Sequence, residues 1–234
     1  MALLFNGSTD NLSISTALIP LVFPFTFACW VKLGALPGVA QTAMGLCKTT
    51  GGTAIWNLLF WDNATSKISA GTFDGATSGT SQSAVTVAET TNWHHYVGVF
   101  TSAASRTVYL DSVAAAANTT SIVTSSTTIT LGCYFPGNAT PTSPLNGSIA
   151  LPIIWNISLA QADVSALFGG SPGGRGTDPR NIQPGAIISF SPLKAAPFKD
   201  LVTGLSWTVG GNPGVSADPF NILHQPITHG GIAE

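Results

Sequence analysis

The chain is short of charge. Charged residues make up 8% of its 234 positions, against roughly 25% in an ordinary soluble domain. Its few lysines and arginines form no basic cluster, so nothing supplies the phosphate-neutralising surface that nucleic-acid binding requires. Glutamate occurs only at Glu89 and Glu234, and no two acidic residues stand at i, i+2 or i, i+4. Cleavage of a glycosidic bond needs two carboxylates about 5–9 Å apart, one of them held protonated, and the sequence offers no such pair. A Gly-x-Ser-x-Gly elbow between a strand and a helix, a phosphate loop and a dinucleotide fingerprint are also missing. The reading is a non-enzyme.

Cysteine and long apolar runs are scarce as well. Cys29, Cys47 and Cys133 are odd in number and lack metal-ligand spacing. They read as buried free thiols of a chain folded in a reducing compartment. The most apolar run, 17–31, is broken by Pro20 and Pro24 and is too short to cross a bilayer. The opening MALLFNGSTD has neither a charged n-region nor a long apolar core, so no secretory signal is expected.

What the chain does contain is hydrophobic residue, 44%, set among Ser, Thr, Gly, Asn and Pro. That excludes the disordered class, which combines low hydrophobicity with high net charge. Short runs rich in β-branched and aromatic residues, bounded by turn formers, predict strands over 25–33, 54–62, 67–73, 83–88, 94–100, 106–112, 128–134 and 147–156. Their spacing is that of an all-β antiparallel sandwich or jelly roll. One short helix is predicted over 158–169, with Ser158 as N-cap and Gly169 as stop. After Gly169 a Gly/Pro-rich connector runs over 169–185, followed by strand candidates at 186–193 and within 200–216, and by a Pro-containing tail. The chain thus divides into a sandwich, 1–170, and a C-terminal extension, 171–234.

TNWHHYVGVF, 91–100, raises the question of a metal or catalytic site. Neighbouring side chains on a strand point to opposite faces. His94, Tyr96, Gly98 and Phe100 therefore share one face, and Trp93, His95, Val97 and Val99 the other. The two imidazoles cannot ligate one ion together. No carboxylate lies close by in sequence to orient either ring, Glu89 being the nearest. A hydrogen-bonded structural role is expected for both.

At this point the pattern resembles the laminin-G-like, concanavalin A-like jelly-roll superfamily. LLFNGSTDNLSI (3–14) is similar to its opening Phe-Asp-Gly segment. FTFACWVKL (25–33) is similar to its Trp-bearing strand. NWHHYVGVF with SRTVYLDSV (92–113) is similar to its Trp-His hairpin. LNGSIALPIIWNISLAQADVSALF (145–168) is similar to its closing segment. The resemblance implies a sandwich over about 3–168, with the histidines in its wall. It also implies that 186–193 corresponds to a strand that usually precedes the opening segment, so that it would lie beside 3–14 as in a circular permutation.

Calcium-binding members of the superfamily hold the ion with acidic side chains at the rim, because Ca²⁺ takes several hard oxygens. Here Asn6, Asn146 and Ala150 stand at the matching places. The remaining calcium candidates are Asp10, Asp62, Asp74 and Asp111, each of which can equally be a turn former. No cofactor is expected. Trp56 and Trp61, with Trp30 on the same sheet and Asp74 in a neighbouring loop, are either a sugar-stacking platform or core. The neutral composition and the extension resemble virion proteins of tailed bacteriophages. The leading expectation is a homo-oligomeric structural protein that decorates the capsid or belongs to the tail, contacting the major capsid or tail protein and located in the virion. The alternative is a carbohydrate-binding adhesin that recognises glycans. Neither reading involves nucleic acid or a membrane.

Overall fold

The computed structural model describes residues 2–15, 22–36, 38–138, 140–170, 176–193 and 196–217. Its strands, in chain order, are β1 (Ala2–Asn6), β2 (Asn11–Ser15), β3 (Phe25–Leu33), β4 (Gln41–Cys47), β5 (Trp56–Asp62), β6 (Lys67–Phe73), β7 (Ser78–Thr86), β8 (His94–Ser102), β9 (Ser105–Leu110), β10 (Val113–Ala114), β11 (Thr128–Leu131), β12 (Asn146–Trp155), β13 (Ile187–Phe190), β14 (Thr208–Gly210) and β15 (Gly214–Ser216). One α-helix, α1 (Gln161–Phe168), lies between β12 and β13.

The strands form two antiparallel sheets. One runs β10-β9-β8-β3-β12-β1-β15, with β13 paired to the far end of β12; the other runs β14-β2-β11-β4-β5-β6-β7. Alternation along each strand sends one set of side chains between the sheets. Leu3, Phe5, Phe27, Val31, Tyr96 and Phe100 enter from the first sheet, and Leu12, Met44, Leu46, Leu59, Trp61 and Ile68 from the second. Phe25 and Phe100, paired across β3 and β8, stack with centroids 4.7 Å apart. Each such ring adds about 1.5–3 kcal/mol of burial energy.

The two outer faces differ. The first sheet's outer face is roofed by α1 and the segment after it. Trp30, Val97, Val99 and Trp155 pack there against Val164, Leu167, Phe168, Ile182 and Phe190. The Trp155 indole also donates to the Ile182 carbonyl at 2.8 Å. No helix roofs the second sheet among the described residues.

The helix starts later than the sequence predicts. Ala160, not Ser158, is the N-cap, and Gly169 ends the helix in a left-handed conformation, φ 73°. Ser158 is diverted because its neighbour Leu159 donates its backbone N–H to Thr26 Oγ1 on β3, which holds 157–159 extended. Asp163 in the first turn reaches back to the Ala160 N–H instead.

The C-terminal expectation is corrected. The 187–190 strand pairs with β12, Ile153 opposite Phe190, and not with β1. The strands beside the opening segment come later: β15 pairs with β1 and β14 with β2. Two consecutive strands, one in each sheet, therefore close the same edge of both. Residues 171–175 of the connector and 218–234 of the tail lie outside the described residues. β4 is central yet absent from the predicted strands, because QTAMGLC carries little β-branched residue.

Candidate functional site

On β5 the even-numbered side chains Trp56, Leu58 and Phe60 point away from the core, onto the unroofed face of the second sheet. Their cross-strand partners on β6 are Phe73, Gly71 and Ser69. The next partners, on β7, are Ser78, Thr80 and Gln82. An apolar row thus runs beside a polar row. Gly71 sits at the centre. A Cβ there would lie 3.1 Å from the Trp56 ring, 3.2 Å from the Phe60 ring and 3.2 Å from Thr80 Oγ1. The missing side chain lets both rings lie down against the sheet, as close approach in a strand interior often requires of glycine.

Trp56 is held from two sides. Its ring packs on Phe73 with centroids 5.5 Å apart and meets Tyr134 edge-on at 6.1 Å. Tyr134 arrives on the loop after β11. That loop is pinned by the backbone exchange between Tyr134 and Thr142, by Thr130 Oγ1 donating to the Cys133 carbonyl at 2.7 Å, and by the Gly137 N–H on the Lys48 carbonyl. Beneath lie Cys47, Cys133 and Phe135. Burial pushes the Cys47 thiol up to about 11 and Cys133 higher still. Both are packing groups, not nucleophiles.

Asp74 follows Phe73 at the same end of the face. Its Oδ1 accepts the backbone N–H groups of Thr77 and Ala76, at 2.8 and 2.9 Å, and these bonds hold the carboxyl below the usual range. Oδ2 has no hydrogen-bond partner among the described residues.

Of the expected aromatic set only Trp56 belongs here. Trp61 is a correction: it is five residues from Trp56, so it faces inward. It is 3% exposed, with its indole N–H donating to the Val87 carbonyl at 2.9 Å. Trp30 is a second correction, since it lies on β3 in the other sheet, under α1. Phe60, Gly71 and Phe73 were missed although strand alternation places them on the Trp56 face. Tyr134 had no comparable signal, because its position depends on a loop.

The calcium candidates are scattered and already engaged. Asp10 accepts the Asn6 and Asn212 N–H groups. Asp62 accepts the Ala64 N–H and the Gln82 amide. Asp111 accepts from His95 N and His94 Nδ1. Among the described residues no group of three or more His, Cys, Asp or Glu side chains could hold a metal ion. The donor sets do not fit calcium. No helix among the described residues is long and apolar enough to cross a membrane.

The histidines occupy opposite faces, and one expectation about them is corrected. Two carboxylates do converge on His94: Nδ1 lies 2.6 Å from Asp111 and Nε2 2.9 Å from Glu89. Sequence distance hid this, because Asp111 arrives through the β8–β9 hairpin, where its N–H bonds the His95 carbonyl. With both nitrogens engaged, His94 has none left to act as a base. His95 is 2% exposed against Trp30, and its Nδ1 has no partner. Burial brings its pKa down to about 4, against a small opposing effect of Asp111.

Comparisons with known proteins agree with this architecture. Among curated proteins none matches the sequence. A putative carbohydrate binding protein from Bacteroides ovatus superposes with a TM-score of 0.61 at 11% identity, over 91% of this chain and 58% of its own length. A heptameric SAP-like pentraxin from Limulus polyphemus gives 0.58 at 14% identity, over 89% of this chain and 94% of the pentraxin. Domain 4 of the arabinanase AbnA from Geobacillus stearothermophilus, in complex with arabinotriose, gives 0.56 at 16%, over 70% and 74%. At these identities the likeness is one of fold. A family sequence model matches residues 6–165, most of the two sheets and the start of α1, and by that match the chain belongs to the Concanavalin A-like lectin/glucanases superfamily.

Proposed function

We propose that this domain is a non-enzymatic carbohydrate-binding module whose sugar contacts lie on the open face of the second sheet. The observation that carries this is the half-buried aromatic group of Trp56, Phe60, Phe73 and Tyr134, set beside hydroxyl and amide side chains on a face that no helix covers among the described residues. Aromatic faces stack on the C–H faces of sugars, and polar neighbours orient hydroxyls. Asp74 Oδ2 adds a free acceptor at one end. The Bacteroides ovatus putative carbohydrate binding protein and the arabinanase domain in complex with arabinotriose support the reading as likenesses of fold. No pair of carboxylates converges on this face, which is why the reading involves binding and no hydrolysis. Glycan-array screening of the whole chain tests it. Binding that is lost in Trp56→Ala but kept in Trp30→Phe supports the site; binding unaffected by Trp56→Ala removes it.

The virion-decoration role is the second reading. It rests on the low charge and on exposed apolar residues, Val22 at 72% and Val123 at 74%, which line one cleft with Phe23, and Val215 at 66%. Such a surface is weakly protected against association. A decoration protein would self-associate and assemble with a major capsid or tail protein, with its tail (217–234) as the docking element. Sedimentation of the full chain and of a 217–234 deletion tests this: a monomer in both weighs against it.

A further inference from the structure

Resting on the carbohydrate-binding reading, we infer that the open face is an extended subsite for a linear, uncharged oligosaccharide lying along β5, recognised from within its chain and not by its end. Length is the first argument. From Trp56 to Phe60 the strand advances four residues, about 13 Å at about 3.3 Å each. One sugar ring, comparable in width to an aromatic ring, covers only one end of that row. Leu58, between Trp56 and Phe60, is buried, at 4% exposure, and Gly71 carries no side chain, so nothing projects between the two half-exposed rings.

The second argument is the parallel polar row. Ser78, Thr80 and Gln82 run along β7, about 10 Å across the sheet from Trp56, Leu58 and Phe60 at about 4.8 Å per strand. Gln82 is fixed: its Nε2 donates to Asp62 Oδ2 at 2.7 Å, so its carbonyl oxygen is the oriented acceptor. A chain laid between the rows meets a stacking surface on one flank and hydroxyl-binding groups on the other, repeated along its length.

The third argument is charge. The face carries charges only at its ends. Asp74 stands beside Phe73, and Asp62 stands opposite Lys67 in the β5–β6 register, one charge of each sign with no ion pair between them among the described residues. An acidic sugar meets the Asp74 and Asp62 carboxylates against the single Lys67 ammonium, so the balance of charge at the two ends is negative.

The test is calorimetric titration of the full chain with neutral gluco-, manno- and xylo-oligosaccharides of one to six units, and with oligogalacturonate as the anionic counterpart. Affinity should rise at least tenfold from one unit to four in the preferred series and then level, with oligogalacturonate at least tenfold weaker than its neutral equal in length. Phe60→Ala should bring the four-unit ligand down to the affinity of shorter ones. Gly71→Val should weaken every ligand by lifting the rings. Val113→Ser, on the other sheet, should change nothing, and thermal unfolding confirms that each variant folds. If Trp56→Ala abolishes binding while affinity is independent of length, the site stands and the extended subsite falls. Equal binding of oligogalacturonate also overturns it. If no ligand in the set binds, both readings fall.

Discussion

His94 and Asp111 meet across the β8–β9 hairpin at 2.6 Å, and the other ring nitrogen of His94 points at Glu89. A carboxylate only accepts, so an imidazole that bonds two of them must donate from both nitrogens. His94 is therefore an imidazolium in this arrangement. Desolvation opposes the charge, but the hydrogen bonds and charges of Asp111 and Glu89 outweigh it, and the pKa is raised. Glu89 shows the other half: burial raises its pKa, yet bonds from Thr91, His94 and Asn92 carry it down to about 2. A raised histidine pKa adds stability that is complete below the unfolded value of about 6.5 and is lost as pH rises through the folded value. Denaturation followed upward from pH 6.5 should show stability falling as the imidazolium deprotonates. His94→Gln should flatten that limb. An unchanged slope in the variant would refute the clamp.

His95 predicts the opposite limb. It is neutral in the fold, with a pKa of about 4, while the unfolded chain protonates near the ordinary 6.5. The unfolded state therefore binds the proton first, and stability falls as pH drops from about 6.5 towards 4. The separation corresponds to on the order of 3 kcal/mol. His95→Phe keeps the ring against Trp30 and removes the titration. Its acid limb should be shallower than wild type in the same denaturation series. A variant as acid-sensitive as wild type would show that other groups set the limit.

Trp56 and Trp61 separate binding from folding on a single strand. Trp61→Ala empties a core position and leaves the Val87 carbonyl without its donor, so a loss of about 3–5 kcal/mol is expected. Trp56→Ala removes a half-exposed ring and should cost about 1 kcal/mol, while abolishing sugar binding. Paired urea curves and titrations check this. A large stability loss at Trp56 with binding intact would place it among the core residues.

Much of the fold was legible because its strands obey the period of two. FTFACWVKL gives both faces of β3 correctly, Phe25, Phe27, Cys29 and Val31 inward and Ala28 and Trp30 beneath α1. β4 was not legible, since Gln41–Cys47 owes its state to burial among neighbours. Gly45 there lies so close to Leu58 and Thr130 that a Cβ would sit 2.8 Å from each. The same rule of alternation, applied to β5, separates Trp56 from Trp61. Treating the two as one platform overlooked their odd spacing. Tyr134, Asp111 beside His94 and the two edge strands β14 and β15 depend on tertiary pairings with no local pattern, and these are the elements the sequence could not place.

Asp10 decides the calcium question by experiment. Its carboxylate joins the N-terminal turn to the loop between β14 and β15, with Asn6 N on Oδ2 at 3.0 Å and Asn212 N on Oδ1 at 2.8 Å. Gly211 fits only because it lacks a side chain: its Cβ would come 2.2 Å from Asp10 Oδ1. Asp10→Ala strands both donors and should lower stability by roughly 2–3 kcal/mol, loosening β14 and β15 first in hydrogen exchange. Asp10 keeps a lone pair on each oxygen, but among the described residues no group of three or more His, Cys, Asp or Glu side chains includes it, so it offers one carboxylate where calcium takes six to eight oxygens. Millimolar Ca²⁺ should therefore leave the unfolding midpoint where chelator leaves it. A bound ion at a hundred times its Kd would add about 2.7 kcal/mol, a shift too large to miss. Such a shift, abolished by Asp10→Ala, would mean that the carboxylate exchanges its N–H donors for the ion, and the clamp would then be a calcium site.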